Sequence, residues 1–252
     1  MMKSEAEKLN QINSTGLETG FYDFDKLTTG LRVGQLIILA ARPAMGKTAF
    51  ALNIAQNVAR SSKKAVVFFS LETQKKNLVK RLLANQENYS QQHNLKWQKS
   101  VEDMQRHSIV QIRLTDLPIF IDDSAGLRIT DIRDKAGRLA KKMNGLGLIV
   151  IDYLQLIQGS RSENRQQVVS EIARQLKILA KELKVPVIAL SQVSRSVEQR
   201  KDKRPISSDL RESGSIEHEA DIIAFLYRDD YYQEKRIGQA ECNLTELIIR
   251  KK

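Results

Sequence analysis

The residues that could do chemistry begin with Gly46-Lys47-Thr48, set between the apolar run Leu36–Ala41 and a segment of helical period. Strand, loop, Gly-Lys-Thr and helix, in that order, make an anion site of the phosphate-loop kind. Backbone N–H groups of Ala41, Arg42, Pro43 (which lacks one), Ala44, Met45, Gly46 and the first helical residues through Ala49 surround the phosphates, and the helix dipole favours negative charge there. Gly46 permits close approach, Lys47 places a point charge at the outer phosphates, and Thr48 brings a hydroxyl to magnesium. Ala41 occupies the position where such loops usually carry their first glycine. A chance Gly-Lys-Thr in an ordinary strand–helix turn is the bland alternative, and the flanking pattern on both sides argues against it.

Further candidates stand at the ends of other apolar runs, where ligands of a parallel sheet bind. Asp152 follows Leu148–Ile151 and suits a magnesium shell, or else a cap on the next turn; its company with Gly46-Lys47-Thr48 favours the metal role. Glu72 follows Phe68-Phe69-Ser70-Leu71 and can deprotonate an attacking water, or simply sit in a first helical turn. Gln192 ends Val187–Ser191 and can sense a γ-phosphate or satisfy strand-end backbone; the local sequence does not separate the two. Beyond it, Ser194–Arg204 carries five basic residues, Arg195 among them, against two acids. Arg211 and the backbone near Gly214 can grip phosphodiesters without reading bases. A solvated charge run is the alternative, and its place directly after Gln192 favours a ligand-linked role.

Positioning these groups takes alternating strands and helices. Expected strands are Leu36–Ala41, Ala65–Ser70, Pro118–Asp123, Gly147–Asp152, Pro186–Ser191, Asp221–Tyr227 and Leu244–Ile249. Expected helices run from Lys47 to about Arg60, after a Thr73 cap, after a Thr130 cap with Ile132, Ala136, Leu139, Ala140 and Met143 on one face, and from Gln166 to Lys184. Asn85–Gln92 reads as a polar loop, Trp97, Val101 and Met104 as a short helix, and both Ser160–Asn164 and Ser194–Ser208 as loops. The alternation defines an α/β three-layer sandwich with a mostly parallel central sheet.

The 252 residues, 41% hydrophobic, suffice for one large domain or two small ones, and the net charge of +11 suits a polyanionic partner. The one cysteine, Cys242, excludes an internal disulfide framework, and three histidines beside it make no Cys/His zinc site. No apolar run approaches the roughly 20 residues of a membrane helix. The N-terminal residues lack the apolar core of a secretory signal, so a soluble, cytoplasmic protein is expected.

Taken together, several blocks resemble the C-terminal motor domain of the bacterial replicative DNA helicases, the DnaB family, from about Gly16 to Lys252. They are Ala40–Thr48, Phe68-Phe69-Ser70-Leu71-Glu72, Ile151-Asp152-Tyr153-Leu154-Gln155-Leu156, Leu190–Arg195, Leu210–Glu217 and Tyr227–Tyr232. In that family alanine is common at the Ala41 position. The resemblance implies a RecA-like fold and a ring hexamer that hydrolyses ATP or another NTP with Mg2+ between subunits while moving on single-stranded DNA, with primase and a helicase loader as further partners. It implies Lys47 and Thr48 on phosphate and magnesium, Glu72 as catalytic base, Asp152 in the magnesium shell and Gln192 as γ-phosphate sensor. It also implies Arg211, Glu212 and Gly214 along the DNA backbone, beside which Arg195 of the basic loop is a further DNA-binding candidate.

Three departures accompany the resemblance. The family's helical N-terminal domain has no counterpart, residues 1–15 reading as a linker remnant before a motor domain at 16–252, and residues 85–112 follow the family loosely. The family's last strand runs into Lys-x-Arg-Asn-Gly, whose Lys and Arg reach the neighbouring subunit's nucleotide. Here Lys251 matches that Lys and the Arg would fall just past Lys252, unless Arg250 takes its place. Nucleotide binding with poor turnover is the expectation, because such an Arg is worth roughly 10³–10⁵ in rate. A RecA-type recombinase or repair ATPase, and a nucleotide-gated DNA-binding assembly subunit, are the alternative functions.

Overall fold

The structure, a computed structural model, describes residues 16–87, 117–158, 165–210, 213–232 and 244–252, with backbone alone at 85–87, 165 and 213–215. The expected linker at 1–15, the short helix at Trp97, Val101 and Met104, the loop Ser160–Asn164, and Arg211 and Glu212 lie outside the described residues.

Seven strands form one sheet: β1 Leu36–Ala41, β2 Ala65–Ser70, β3 Ile119–Asp122, β4 Leu146–Asp152, β5 Val187–Gln192, β6 Ile222–Tyr227 and β7 Glu246–Lys251, in the order β3-β2-β4-β5-β1-β6-β7. β1 through β6 are parallel, and β7 closes the edge antiparallel to β6. The helices are α1 Tyr22–Thr28, α2 Lys47–Ser62, α3 Lys75–Glu87, α4 Ile129–Lys142, α5 Arg165–Leu183 and α6 Ser213–Glu219.

The central strands are apolar at nearly every position because both faces are covered. Alternate residues of β1 enter different cores. Leu36, Ile38 and Ala40 pack with Ile132 and Ala136 of α4 and with Ile172 and Leu176 of α5. Ile37, Leu39 and Ala41 pack with Leu52 and Ile54 of α2 and with Leu78 and Leu82 of α3. That gives the expected three layers, and with all six parallel strands pointing one way, their C-terminal ends share one rim. No helix among the described residues is long and apolar enough to cross a membrane.

Several local expectations give way to tertiary contacts. Thr73 does not cap α3: the helix begins at Lys75, whose N–H donates to Asp123 Oδ2 at 2.8 Å. Thr130 does not cap α4 either; it lies inside the helix, where Asp131 Oδ2 accepts the Arg128 N–H at 2.9 Å. α3 runs through Glu87, past the expected start of a polar loop at Asn85, and β7 runs to Lys251 because it has β6 to pair with. The basic loop after Gln192 contains a 3-10 turn, Arg195–Gln199, pinned by buried Val197. Helix α1 went unanticipated: it is only 7 residues long, and Asp25 folds it back on the turn before it by accepting the Thr19 N–H, the Thr19 hydroxyl and the Gly20 N–H.

Candidate nucleotide site

The loop from Arg42 to Gly46 joins β1 to α2. Gly46, the N-cap of α2, has φ 88°, and a Cβ added there would meet nothing within 4 Å. Its requirement is therefore conformational, and the space beside it belongs to the cavity. Ala44 is also left-handed, at φ 63°. The first turn of α2 contains no acid, so its N-terminal field is uncompensated. A cavity of about 440 Å³ opens over this turn, lined by every expected loop residue except Met45, together with Glu72 and Gln192. Met45 points the other way, 2% exposed in the core between the sheet and α2.

Beneath the cavity, Thr48 donates its hydroxyl to Asp152 Oδ2 at 2.7 Å, and Lys47 Nζ stands 3.9 Å from Asp152 Oδ1. Asp152 is fully buried, and its Oδ1 has no hydrogen-bond partner among the described residues. A buried carboxylate oxygen with no donor, beside a threonine hydroxyl, is the donor set a hard divalent cation and its waters would use. Burial lowers the Lys47 pKa from its ordinary value, while Asp152 and Glu72 act to raise it. The ammonium also lies 4.6 Å from the centre of the Tyr153 ring.

Sheet register sets these distances. Ser70 of β2 pairs with Asp152 of β4, and the Leu71 N–H donates to the Asp152 carbonyl at 2.7 Å, so Glu72 emerges at the cavity mouth, exposed to solvent. Ala41 pairs with Gln192, and the Val193 N–H donates to the Ala41 carbonyl at 3.0 Å, which brings Gln192 to the opposite wall. The structure thus brings together Lys47, Thr48, Glu72, Asp152 and Gln192.

Other expected residues stand elsewhere. Arg42 lines the cavity, yet its guanidinium is tied to Glu198 and the Val193 carbonyl. Arg195 is exposed on the 3-10 turn, and Gly214 lies in α6. Lys251 pairs with Ile223 near the start of β6, whereas the phosphate loop leaves the sheet at the level of Leu226; its ammonium donates to the carbonyls of Glu217 and His218. It is thus remote from its own chain's cavity. Arg250 donates to the Pro205 carbonyl.

Two further residues line the cavity, Arg81 and Thr73, the latter expected only as a helix cap. Arg81 sits in α3 between Leu78 and Leu82, which face the core. A basic residue flanking the buried stripe of the helix after Glu72 was the available signal.

A family model described as the DnaB-like helicase C terminal domain matches residues 16–252. The chain is 55% identical over 239 residues to the replicative DNA helicase DnaB of Geobacillus stearothermophilus, covering 94% of this chain and 52% of that protein. It is 53% identical to the replicative DNA helicase DnaC of Bacillus subtilis (strain 168), with the same coverage. The chain therefore spans about half the length of the curated relatives it matches. Among solved structures it superposes on one described as an ATPase domain with TM-score 0.88 and 39% identity, covering 99% of this chain and 89% of that one. A DnaB-like replicative helicase, described together with its interactions with primase, matches at TM-score 0.85 and 39% identity, covering 98% and 61%.

Proposed function

Because this chain belongs to the DnaB-like helicase C-terminal domain family, we propose that residues 16–252 are the NTP-hydrolysing motor of a replicative DNA helicase. The motor couples turnover at subunit interfaces to movement along single-stranded DNA. The observation that carries the reading is the Thr48–Asp152 contact under the cavity, with Asp152 Oδ1 left without a donor among the described residues.

In this reading ATP fills the cavity, and the backbone from Arg42 to Thr48 cradles its phosphates. Lys47, already desolvated, meets the outer phosphates as a point charge. Thr48 and Asp152 would hold magnesium and its waters, and the bound ion would supply positive charge against the triphosphate. Glu72 takes the proton of the attacking water from the solvent side of the mouth. Gln192 hydrogen-bonds the γ-phosphate, and Arg81 adds a second positive charge to the wall. Arg195, Arg211, Glu212 and Gly214 follow the DNA backbone. Lys251, remote from its own cavity, serves a neighbour's nucleotide in a hexameric ring. Primase is a partner by analogy with the solved relative described with it.

The decisive experiment is turnover with and without single-stranded DNA, for the parent and for Lys47→Ala. Magnesium-dependent turnover raised by DNA and abolished in Lys47→Ala supports the motor. Binding of ATP and DNA with no turnover under any condition would make the chain a nucleotide-gated assembly subunit instead. DNA affinity should fall steeply with salt, since backbone contacts release counterions.

A further inference from the structure

Gln192 reaches the cavity through the backbone of β5, but a second connection joins the phosphate loop to the segment that follows. Arg42, the first residue of the loop, donates from Nε to Glu198 Oε1 at 2.8 Å, and its Nη2 lies 2.8 Å from the same oxygen. Its Nη1 donates to the Val193 carbonyl at 3.0 Å. The Arg42 side chain is 8% exposed, so solvent screens this ion pair little on one side.

Glu198 lies in the 3-10 turn Arg195–Gln199, and that turn belongs to a unit closed on itself. Val193 bridges Leu210, the Ser194 N–H donates to the Asp209 carbonyl at 2.8 Å, and Val197 is fully buried. Asp209, 5% exposed, accepts from Arg200 at 2.7 Å and from the Ile206 N–H at 2.8 Å. Leu210, the last residue of the unit, immediately precedes Arg211. Arg42 is therefore linked to the whole unit from Val193 to Leu210 through a charged hydrogen-bonded contact.

We propose that Glu198 is a positioning residue which, through Arg42, holds the phosphate loop to the Val193–Leu210 unit, so that a triphosphate in the cavity alters how the chain grips single-stranded DNA. The inference rests on the motor reading above. It adds a side-chain route to the one through Gln192 and assigns it to a residue outside the cavity lining.

The test measures affinity for a fluorescent oligothymidylate with and without a magnesium-bound non-hydrolysable ATP analogue, in the parent, Glu198→Ala and Glu198→Asp. Analogue affinity without DNA and thermal midpoint are measured alongside. In the parent the analogue should change DNA affinity by a coupling factor in the usual range of roughly 5- to 150-fold. In Glu198→Ala that factor should fall below about twofold with analogue affinity unchanged, the midpoint dropping because Arg42 loses its partner, and Glu198→Asp should restore part of both. A parent-like factor in Glu198→Ala overturns the proposal. So does a lost factor accompanied by an equal loss of analogue affinity, because Glu198 would then merely shape the loop. A parent that binds no single-stranded DNA at all overturns the motor reading itself, and the coupling with it.

Discussion

Thr48 and Asp152 meet at 2.7 Å across 104 positions of sequence, and their contact joins the start of α2 to the end of β4. Neither residue is distinctive alone. Their meeting on the rim of a parallel sheet, with one carboxylate oxygen left without a donor among the described residues, gives the loop after β1 a donor set that would suit a hard divalent cation.

Asp152→Asn should weaken magnesium binding in the nucleotide complex by about 10- to 100-fold, because the amide keeps the Thr48 contact but removes the charge. Titrating magnesium against a bound fluorescent nucleotide reads this directly. An unchanged magnesium midpoint would remove Asp152 from the metal shell.

Glu72→Gln should lower turnover by roughly 10²- to 10⁴-fold, the usual worth of a general base. Nucleotide affinity should not fall, since Glu72 is exposed at the mouth of the cavity and losing its negative charge leaves Lys47 and the loop in place. Single-turnover hydrolysis beside equilibrium binding separates the two quantities. Loss of affinity with intact chemistry would reverse the assignment.

Asp122 gives a pH signature. Burial raises its pKa, but hydrogen bonds from Lys135 (2.7 Å) and Ser124 (2.9 Å) outweigh it and hold the carboxyl below its ordinary 3.8. A carboxyl with a depressed folded-state pKa stabilises fully above the unfolded value, and that contribution is lost as pH falls through the folded one. Urea unfolding should find Asp122→Asn weaker than the parent at neutral pH, with the two converging on acidification below the ordinary carboxylate range. A constant gap down to strong acid would contradict the ion pair.

Asp221→Ala should cost about 1–3 kcal/mol in denaturant unfolding. Asp221 accepts the Leu36 N–H at 2.7 Å and the Lys177 ammonium at 2.6 Å, just below the start of β1. Its side chain is 34% exposed, so the ion pair itself is screened; most of the loss comes from the Leu36 N–H. A change within a few tenths would mean that water replaces the carboxylate without penalty.

The strands were legible because a parallel strand covered on both faces has little room for a polar residue: Ala65–Ser70 and Leu146–Asp152 are buried at every position. The residues ending those strands were legible with them, since topology sends strand ends to one rim. Caps were not. Thr73 and Thr130 have the right chemistry, but Asp123, 48 positions away, took the Lys75 N–H, and Thr130 falls inside a helix that already starts at Ile129. Arg42 was legible as a loop residue and illegible as a partner of Glu198, 156 positions away, because a charge run does not disclose which of its members turns inward.

Met45 sits between left-handed Ala44 and left-handed Gly46 and is itself driven into the core, 2% exposed. It works as a peg. An apolar side chain buried that deeply opposes other shapes of the loop, so a phosphate cradle would be formed before any phosphate arrives. Ordering entropy on binding then falls on the ligand and its waters instead of on the chain. A polar residue in place of Met45 would touch no phosphate, yet it should slow nucleotide capture, since each encounter would first have to find the loop in its binding shape.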